Sequence, residues 1–328
     1  MRAIRFHELG GPEVLRLEDI PVPEPAANEV LVAVAAAGVN FADTRRRLGT
    51  YLEPSELPFV LGAEIAGTVV RVGSEVDRWR PGDRVMGLVN SGGYAEYVAT
   101  RASQLFPIPD VMSFETAAAF PLQGLTAYHI LRTSGRLQPG ESVLVHSAAG
   151  GVGSLAVQLA KVFGAGTVYA TASTEEKLTL ARELGADVTI NYTAQAFDAP
   201  ILARQKQDGK RGVDVILDAV GGDGFRQNFT CLASFGRIVL YGVASGSIPQ
   251  FNPVQLMRKC QEVSGFYLPG VLARPDLLTS SMQELGELLA ASRLKILVGS
   301  TFPLEDAAEA HRALEGRKTT GKGVLKVQ

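Results

Sequence analysis

Residues Ser142-Val143-Leu144-Val145-His146-Ser147-Ala148-Ala149-Gly150-Gly151-Val152-Gly153 constrain this chain more than any other stretch. They read as a short buried strand, a glycine-rich turn and a helix running from about Val152 to Phe163. That order is the opening unit of a dinucleotide-binding fold. At Gly150 the backbone can approach a pyrophosphate with no Cβ in the way, and Gly153 lets the helix pack close to the strand. The helix N-terminus turns unpaired N–H groups and partial positive charge toward the phosphates. The pattern departs from G-x-G-x-x-G, because Ala148 takes the first glycine position. The context compensates, with a Pro139-Gly140 turn into the strand and a second strand, Thr167 to Thr171, after the helix.

NAD-binding sites of this kind place an Asp or Glu about 20 residues on, where it holds the ribose hydroxyls. Nineteen residues past Gly153 stands Ala172, followed by Ser173 and Thr174. No carboxylate there repels a 2′-phosphate. Ser173 offers a hydrogen bond and Lys177, one turn into the next helix, offers positive charge, so the expected nucleotide is NADPH. Glu175 and Glu176 are expected to face solvent at the helix N-terminus, where the dipole favours them.

The organisation around this motif is that of an α/β protein with two domains. The chain has 328 residues, of which 46% are hydrophobic and 20% charged, with a net charge of −2. That balance invites neither nucleic acid nor an anionic membrane. No apolar run reaches the ~18 residues of a membrane helix. Met1 to Arg5 leads directly into a strand pattern without a hydrophobic signal core, so the expected compartment is the cytoplasm. Cys231 and Cys260 form no C-x-x-C pair, the histidines His7, His129, His146 and His311 are scattered, and no metal site is expected. The first hundred or so residues are strand-rich and punctuated by Gly and Pro, which predicts a partly open β-barrel. From 142 strands alternate with helices, at about 142–147, 167–171, 188–190, 213–218, 237–241 and 261–266, which predicts a doubly wound parallel sheet. A helix near Pro275–Ser292, another near Glu305–Leu314 and a last strand Lys322–Val327 are expected to return to the first domain, because a lone terminal strand must pair somewhere.

Five motifs in order then resemble the medium-chain dehydrogenase/reductase superfamily. They are Gly38-Val39-Asn40-Phe41-Ala42-Asp43, Gly62-Ala63-Glu64-Ile65-Ala66-Gly67, Pro81-Gly82-Asp83-Arg84-Val85, Gly124-Leu125-Thr126-Ala127-Tyr128 and Ala148-Ala149-Gly150-Gly151-Val152-Gly153. The resemblance runs nearly end to end and is strongest to the zinc-independent, zeta-crystallin-like quinone oxidoreductase branch. It implies a GroES-like catalytic domain over 1–122 and 267–328 and an NADPH-binding Rossmann domain over 123–266. Where the zinc alcohol dehydrogenases carry a zinc Cys this chain has Asn40, and where they carry a zinc His it has Ala63, with Glu64 retained. The four-cysteine structural-zinc lobe is missing.

By the same resemblance, Asn40 and Tyr51 would line the substrate cleft and Thr126 would lie near the nicotinamide. Ala149, Gly150, Gly151, Val152, Ser173, Lys177 and Tyr192 would hold the diphosphate and adenosine phosphate end. Tyr241 and Gly242 would border the nicotinamide, and Lys322 would complete the cleft. Asp43 is expected to cap its helix or face solvent. The expected activity is transfer of a hydride from NADPH to a quinone, without metal or flavin, with the Asn40 amide or Tyr51 hydroxyl steadying the acceptor oxygens. A second reading is reduction of activated C=C bonds in 2-alkenals or enoyl thioesters, for which Arg45-Arg46-Arg47 would be a candidate phosphate patch. A third is a non-catalytic NADPH sensor. The expected partners are a small-molecule quinone or enone and a second copy of the chain in a homodimer.

Overall fold

The computed structural model describes every residue from Met1 to Gln328, and the chain forms two compact units: Met1–Leu122 with Ile296–Gln328, and Gln123–Lys295. The first unit is built on one long strand, Glu29–Val39, whose sequence EVLVAVAAAGV is rich in the β-branched residues that suit a pleated buried surface. One edge of this strand pairs antiparallel with Glu64–Val72. Its other edge is shared: Glu29 to Ala33 pair with Tyr97–Arg101, and Ala36 to Val39 pair with the C-terminal strand Lys322–Lys326. Arg84–Leu88 and Leu105–Pro107 extend the sheet on one side and Val298–Pro303 on the other. The two end strands pair on one side only, so the barrel stays open, as its punctuation by Gly and Pro suggested. A separate three-stranded sheet holds the N-terminal hairpin, Arg2–Phe6 with Arg16–Asp19, and the short strand Phe59–Val60. Leu304, Ala307, Ala310, Leu325 and Val327 from the end of the chain complete this unit's core.

The second unit is a six-stranded parallel sheet: Ser142–Val145, Thr167–Ala172, Val188–Asn191, Val213–Asp218, Leu232–Leu240 and Glu262–Gly265. Their spatial order is third, second, first, fourth, fifth, sixth. The order reverses between Ser142–Val145 and Val213–Asp218, and a doubly wound sheet binds nucleotide at that reversal, beyond the carboxyl ends of the strands. No helix in the structure is long and apolar enough to cross a membrane.

The first division between the units lies at 122/123. The second lies at 295/296 instead of 266/267, because the helix Pro275–Ala290 packs on the second unit. Its buried face, Leu278, Ser281, Met282, Leu285 and Leu288, follows helical spacing, and its polar side chains dock on the helix Pro121–His129. Tyr128 donates to Glu284 Oε2 at 2.6 Å, and Ser281 Oγ lies 3.1 Å from His129 Nε2. Gln158 then clamps Lys295 through two main-chain bonds. An amphipathic helix announces an apolar face in sequence but not which core takes it. Replacing the fully buried Leu285 by Ala is expected to cost about 2–5 kcal/mol through the lost contacts and the cavity. Denaturant titration checks this.

Candidate active site

In the second unit the glycine turn sits at the reversal of strand order. Gly150 caps the twelve-residue helix Gly151–Val162, and the first helical bond runs from Ser154 N to Gly150 O at 2.8 Å. The amides ahead of Ser154 have no carbonyl one turn back within the helix and are left for an anion. The residue in the left-handed region is Ser147, at φ +53°, and not the residue that replaces the first glycine. Position 148 is completely buried, so it demands a small side chain and Ala148 satisfies it. Gly153 is different: a Cβ there would overlap Ser147 O and lie 2.8 Å from Ala148 Cα. That close helix-to-turn approach requires glycine.

Other candidate residues leave the same end of the sheet. Ala149 is buried in the turn. Ser173 follows the strand Thr167–Ala172 and is half-buried, and Tyr192 N bonds Ala172 O at 3.2 Å. Thr174 caps the next helix by accepting from Lys177 N, which places Lys177 one turn in, half-buried. Glu175 turns away to pair with Arg182 at 2.7 Å. Tyr241 N bonds Asp218 O at 3.0 Å as the fifth strand ends, and burial pushes the Tyr241 phenol well up. Thr126 is buried on the helix Pro121–His129, one turn beyond Gln123. Gln123, unanticipated from sequence, occupies the space where a Cβ on Gly151 would fall.

Beneath the turn lies a chain of buried polar groups that the scattered positions did not reveal. His146 Nε2 lies 2.9 Å from Asn228 Oδ1, and Asn228 Nδ2 donates to Asp218 Oδ2 at 2.6 Å. The amide oxygen only accepts, so Nε2 carries the proton and Nδ1 accepts from Thr171, 3.0 Å away. Asp218 Oδ1 in turn accepts from the N–H groups of Val220 and Gly221 and shapes the loop after the fourth strand.

In the first unit, strand register assembles the polar centre. Ala37 pairs with Ile65 and Val39 with Gly323. One residue on, Gly38 faces Glu64 and Asn40 faces Lys322. Lys322 Nζ donates to Asn40 Oδ1 at 2.6 Å and to Glu64 Oε1, and Leu122 N donates to Glu64 Oε2 at 3.0 Å. Asn40 Nδ2 donates to Gly38 O and Glu64 Oε1, which engages both amide hydrogens. Asn40 is thus a bridge within the protein and not the waiting donor that its position suggested. A Cβ on Gly38 would lie 2.5 Å from both Glu64 Oε1 and Ala118 O, so Glu64 can cross there only over a glycine. No group of three or more His, Cys, Asp or Glu capable of holding a metal occurs in the structure.

Asp43 takes the capping role expected of it, but not in solvent. It caps its helix by accepting from Asn40 N at 2.8 Å, yet it is buried, not solvated. Its Oδ2 also accepts from Tyr94 OH at 2.9 Å. Tyr94 OH lies 3.4 Å from His311 Nε2, and His311 Nδ1 lies 3.0 Å from Arg47 Nη1. Arginine only donates, so Nδ1 accepts and Nε2 bears the proton. The donor chain therefore runs Arg47 to His311 to Tyr94 to Asp43. Arg47 further donates to Gly10 O and to Glu315 Oε1 at 2.6 Å. The candidate phosphate patch is consequently engaged with the protein itself: Arg47 is buried, while the half-buried Arg46 and Arg45 stack on Tyr51 and Phe41.

Burial, aided by the Arg47 charge, pushes His311 down to about 3, and burial pushes Asp43 up to about 6. Between about pH 3 and 6.5 the unfolded chain binds a proton at His311 that the folded chain refuses, so this group's stabilisation is lost as pH falls. Asp43 acts oppositely: from about pH 4 to 6 the folded chain keeps a proton the unfolded chain releases, so stability is lost as pH rises. In His311→Gln only the second slope remains. The gain in unfolding free energy from pH 4.5 to 6.5 should then shrink by on the order of 2 kcal/mol relative to the unmodified protein, as measured by urea titration.

Comparison with known proteins agrees with both units. The alcohol dehydrogenase GroES-like domain family matches residues 26–110, and the zinc-binding dehydrogenase family matches residues 151–290. The quinone oxidoreductase of Pseudomonas aeruginosa is 39% identical over 326 residues, covering 99% of each chain. This chain belongs to the quinone oxidoreductase family of the medium-chain dehydrogenase/reductase superfamily. The Escherichia coli quinone oxidoreductase, solved in complex with NADPH, superimposes on this member with a TM-score of 0.93 at 37% identity over all of both chains. The Thermus thermophilus quinone oxidoreductase, also solved with NADPH, gives 0.85 at 39% identity over all of both chains.

Proposed function

We propose that this protein is an NADPH-dependent quinone reductase that works without a metal. The observation that carries the reading is the glycine turn at the reversal of a 3-2-1-4-5-6 sheet, beside a second strand that ends at Ala172 and is followed by Ser173, with no carboxylate to exclude a 2′-phosphate. The residues present fit the nucleotide: the open amides at the start of Gly151–Val162 suit a diphosphate, and Ser173, Lys177 and Tyr192 suit the adenosine phosphate. Relatives named quinone oxidoreductases, two of them solved with NADPH, support the same reading.

A bound NADPH supplies the hydride for the acceptor. The second unit's part is to hold and orient the nucleotide, with Thr126, Tyr241 and Gly242 at the nicotinamide end. Tyr51 of the first unit is the residue assigned to the acceptor. Asn40, at the position of a zinc Cys in the zinc-dependent relatives, and Glu64, next to the position of their zinc His, hold the Lys322 ammonium, so that centre already contains its cation. Lys322 is thereby read as a fixed charge that orders Asn40 and Glu64, in place of a direct ligand of the nucleotide. The proton that completes a hydroquinone comes from water. Reduction of an enoyl thioester draws less support, since the three arginines that form the candidate coenzyme-phosphate patch are engaged with Phe41, Tyr51, His311 and Glu315. In the same reading the enzyme is a homodimer, for which Glu262–Gly265 offers a strand paired on one side only.

The test follows NADPH oxidation at 340 nm with 1,4-benzoquinone, 1,2-naphthoquinone, a 2-alkenal and crotonyl-CoA, repeated with NADH. Quinones should turn over fastest and NADPH should far outpace NADH; faster alkenal or thioester turnover would overturn the quinone assignment, and binding without turnover would favour a sensor. Lys177→Ala is expected to raise KM for NADPH about tenfold, the size of one lost charge-assisted hydrogen bond, and to leave KM for NADH unchanged.

A further inference from the structure

Arg46, the middle residue of the Arg45-Arg46-Arg47 run, reaches the loop carrying Tyr51. Its guanidinium carbon stands 4.3 Å from the centre of the Tyr51 ring and 5.9 Å from that of Phe59. Nη2 lies 3.4 Å from Glu53 Oε2 in the same loop. Arg46 itself is largely covered, with 17% of its side chain exposed, whereas Glu53 is 56% exposed. The ring stack is therefore the better shielded of the two contacts, and a shielded cation on an aromatic face is worth more than a surface ion pair.

The base from which Arg46 reaches is rigid at both ends. At the start of the helix Phe41–Arg47, Asn40 and Asp43 form a capping box anchored on Tyr94. At its end Arg47 is bound to Gly10, His311 and Glu315. The chain leaving the helix is tied back by Gly49 N to Arg46 O at 3.0 Å and Thr50 N to Arg45 O at 2.9 Å, with Gly49 in the left-handed region at φ +70°. Tyr51 is the next residue. Its backbone is thus set by the helix terminus, and its ring is held on one face by a side chain from that same terminus.

We propose that Arg46 is a positioning residue for the acceptor: through its stack on Tyr51 and its pair with Glu53 it holds the Tyr51 ring in the orientation in which that residue meets the quinone. The inference rests on the assignment of Tyr51 to the acceptor. It makes the helix Phe41–Arg47 a mount for substrate recognition. A planar guanidinium suits this role better than an ammonium, which cannot lie flat on a ring while also reaching a carboxylate.

A double-mutant cycle tests it, using the full-length protein, NADPH and 1,4-benzoquinone, with Arg46→Ala, Arg46→Lys, Tyr51→Ala and Arg46→Ala/Tyr51→Ala. Arg46→Ala should raise KM for the quinone about fivefold while KM for NADPH and Tm hold. Arg46→Lys should recover part of that loss. In the Tyr51→Ala background, removing Arg46 should change nothing further, because its effect passes through the ring. If Tyr51→Ala weakens quinone use but Arg46→Ala adds its full effect on top, the Arg46 proposal falls and the Tyr51 assignment stands. If Tyr51→Ala leaves quinone kinetics untouched, the Tyr51 assignment falls and the Arg46 proposal falls with it. A rise in both KM values with a lower Tm would show that Arg46 merely supports the fold, and would also overturn the proposal.

Discussion

A buried ammonium, shared between one amide and one carboxylate, is the interaction on which the first unit turns. Lys322 Nζ has almost no exposure, and neither has Glu64. Charges so far from water are stable only when paired and fully hydrogen-bonded, and removing one partner of such a pair typically costs about 3–5 kcal/mol. Here three strands supply the pairing. Glu29–Val39 brings Gly38 and Asn40, Glu64–Val72 brings Glu64, and Lys322–Lys326 brings the cation from the far end of the chain. A one-residue slip in either pairing would turn the partner to the other face of the sheet. The ion pair and the strand register therefore specify one another.

From that centre the constraint passes along the helix Phe41–Arg47. Asn40 ends the strand and caps the helix, so the group that binds Lys322 also sets where the helix begins. Asp43, Tyr94, His311 and Arg47 then fasten the helix along its buried side. Every proton in this chain is committed in one direction, from Arg47 toward Asp43. The arrangement leaves His311 neutral and keeps the Asp43 carboxyl harder to ionise than an exposed one. In the second unit a comparable layer, His146, Asn228, Asp218 and Thr171, underlies the carboxyl ends of the strands. Each unit thus carries a layer of buried polar groups bonded to one another, which specifies geometry without apolar bulk.

Legibility varied with the range of the interaction. Five of the six parallel strands are readable to within about two residues, because each is a short apolar run between turn signals. The glycine turn was readable despite its missing first glycine, and the structure shows why: Ser147 takes the left-handed backbone that the motif needs. The strand Val298–Pro303 was not read, since its alternating exposure has no apolar run to mark it. The fifth strand begins at Leu232, five residues before the expected start, across an irregular pairing with Val213. At Asp43 the sequence pattern shows the cap but not the burial, which comes from Tyr94 far along the chain. His311 showed nothing in sequence, because its partners lie more than two hundred residues away.

What the sequence by itself determined is the local chemistry. The strand, glycine turn and helix are all legible within one stretch, and so is the absence of a carboxylate where Ala172 and Ser173 follow the second strand. These depend on backbone geometry and charge within a few residues, where neighbours in sequence are neighbours in space. Tertiary structure alone decided which unit takes the helix Pro275–Ala290, which arginine is buried and which stacks on Tyr51, and that Asn40 spends both amide hydrogens within the protein. Those outcomes depend on what stands across a strand pair or against a helix face. A side chain's chemical type states what it can bond to, and only the fold states what comes within 3 Å of it.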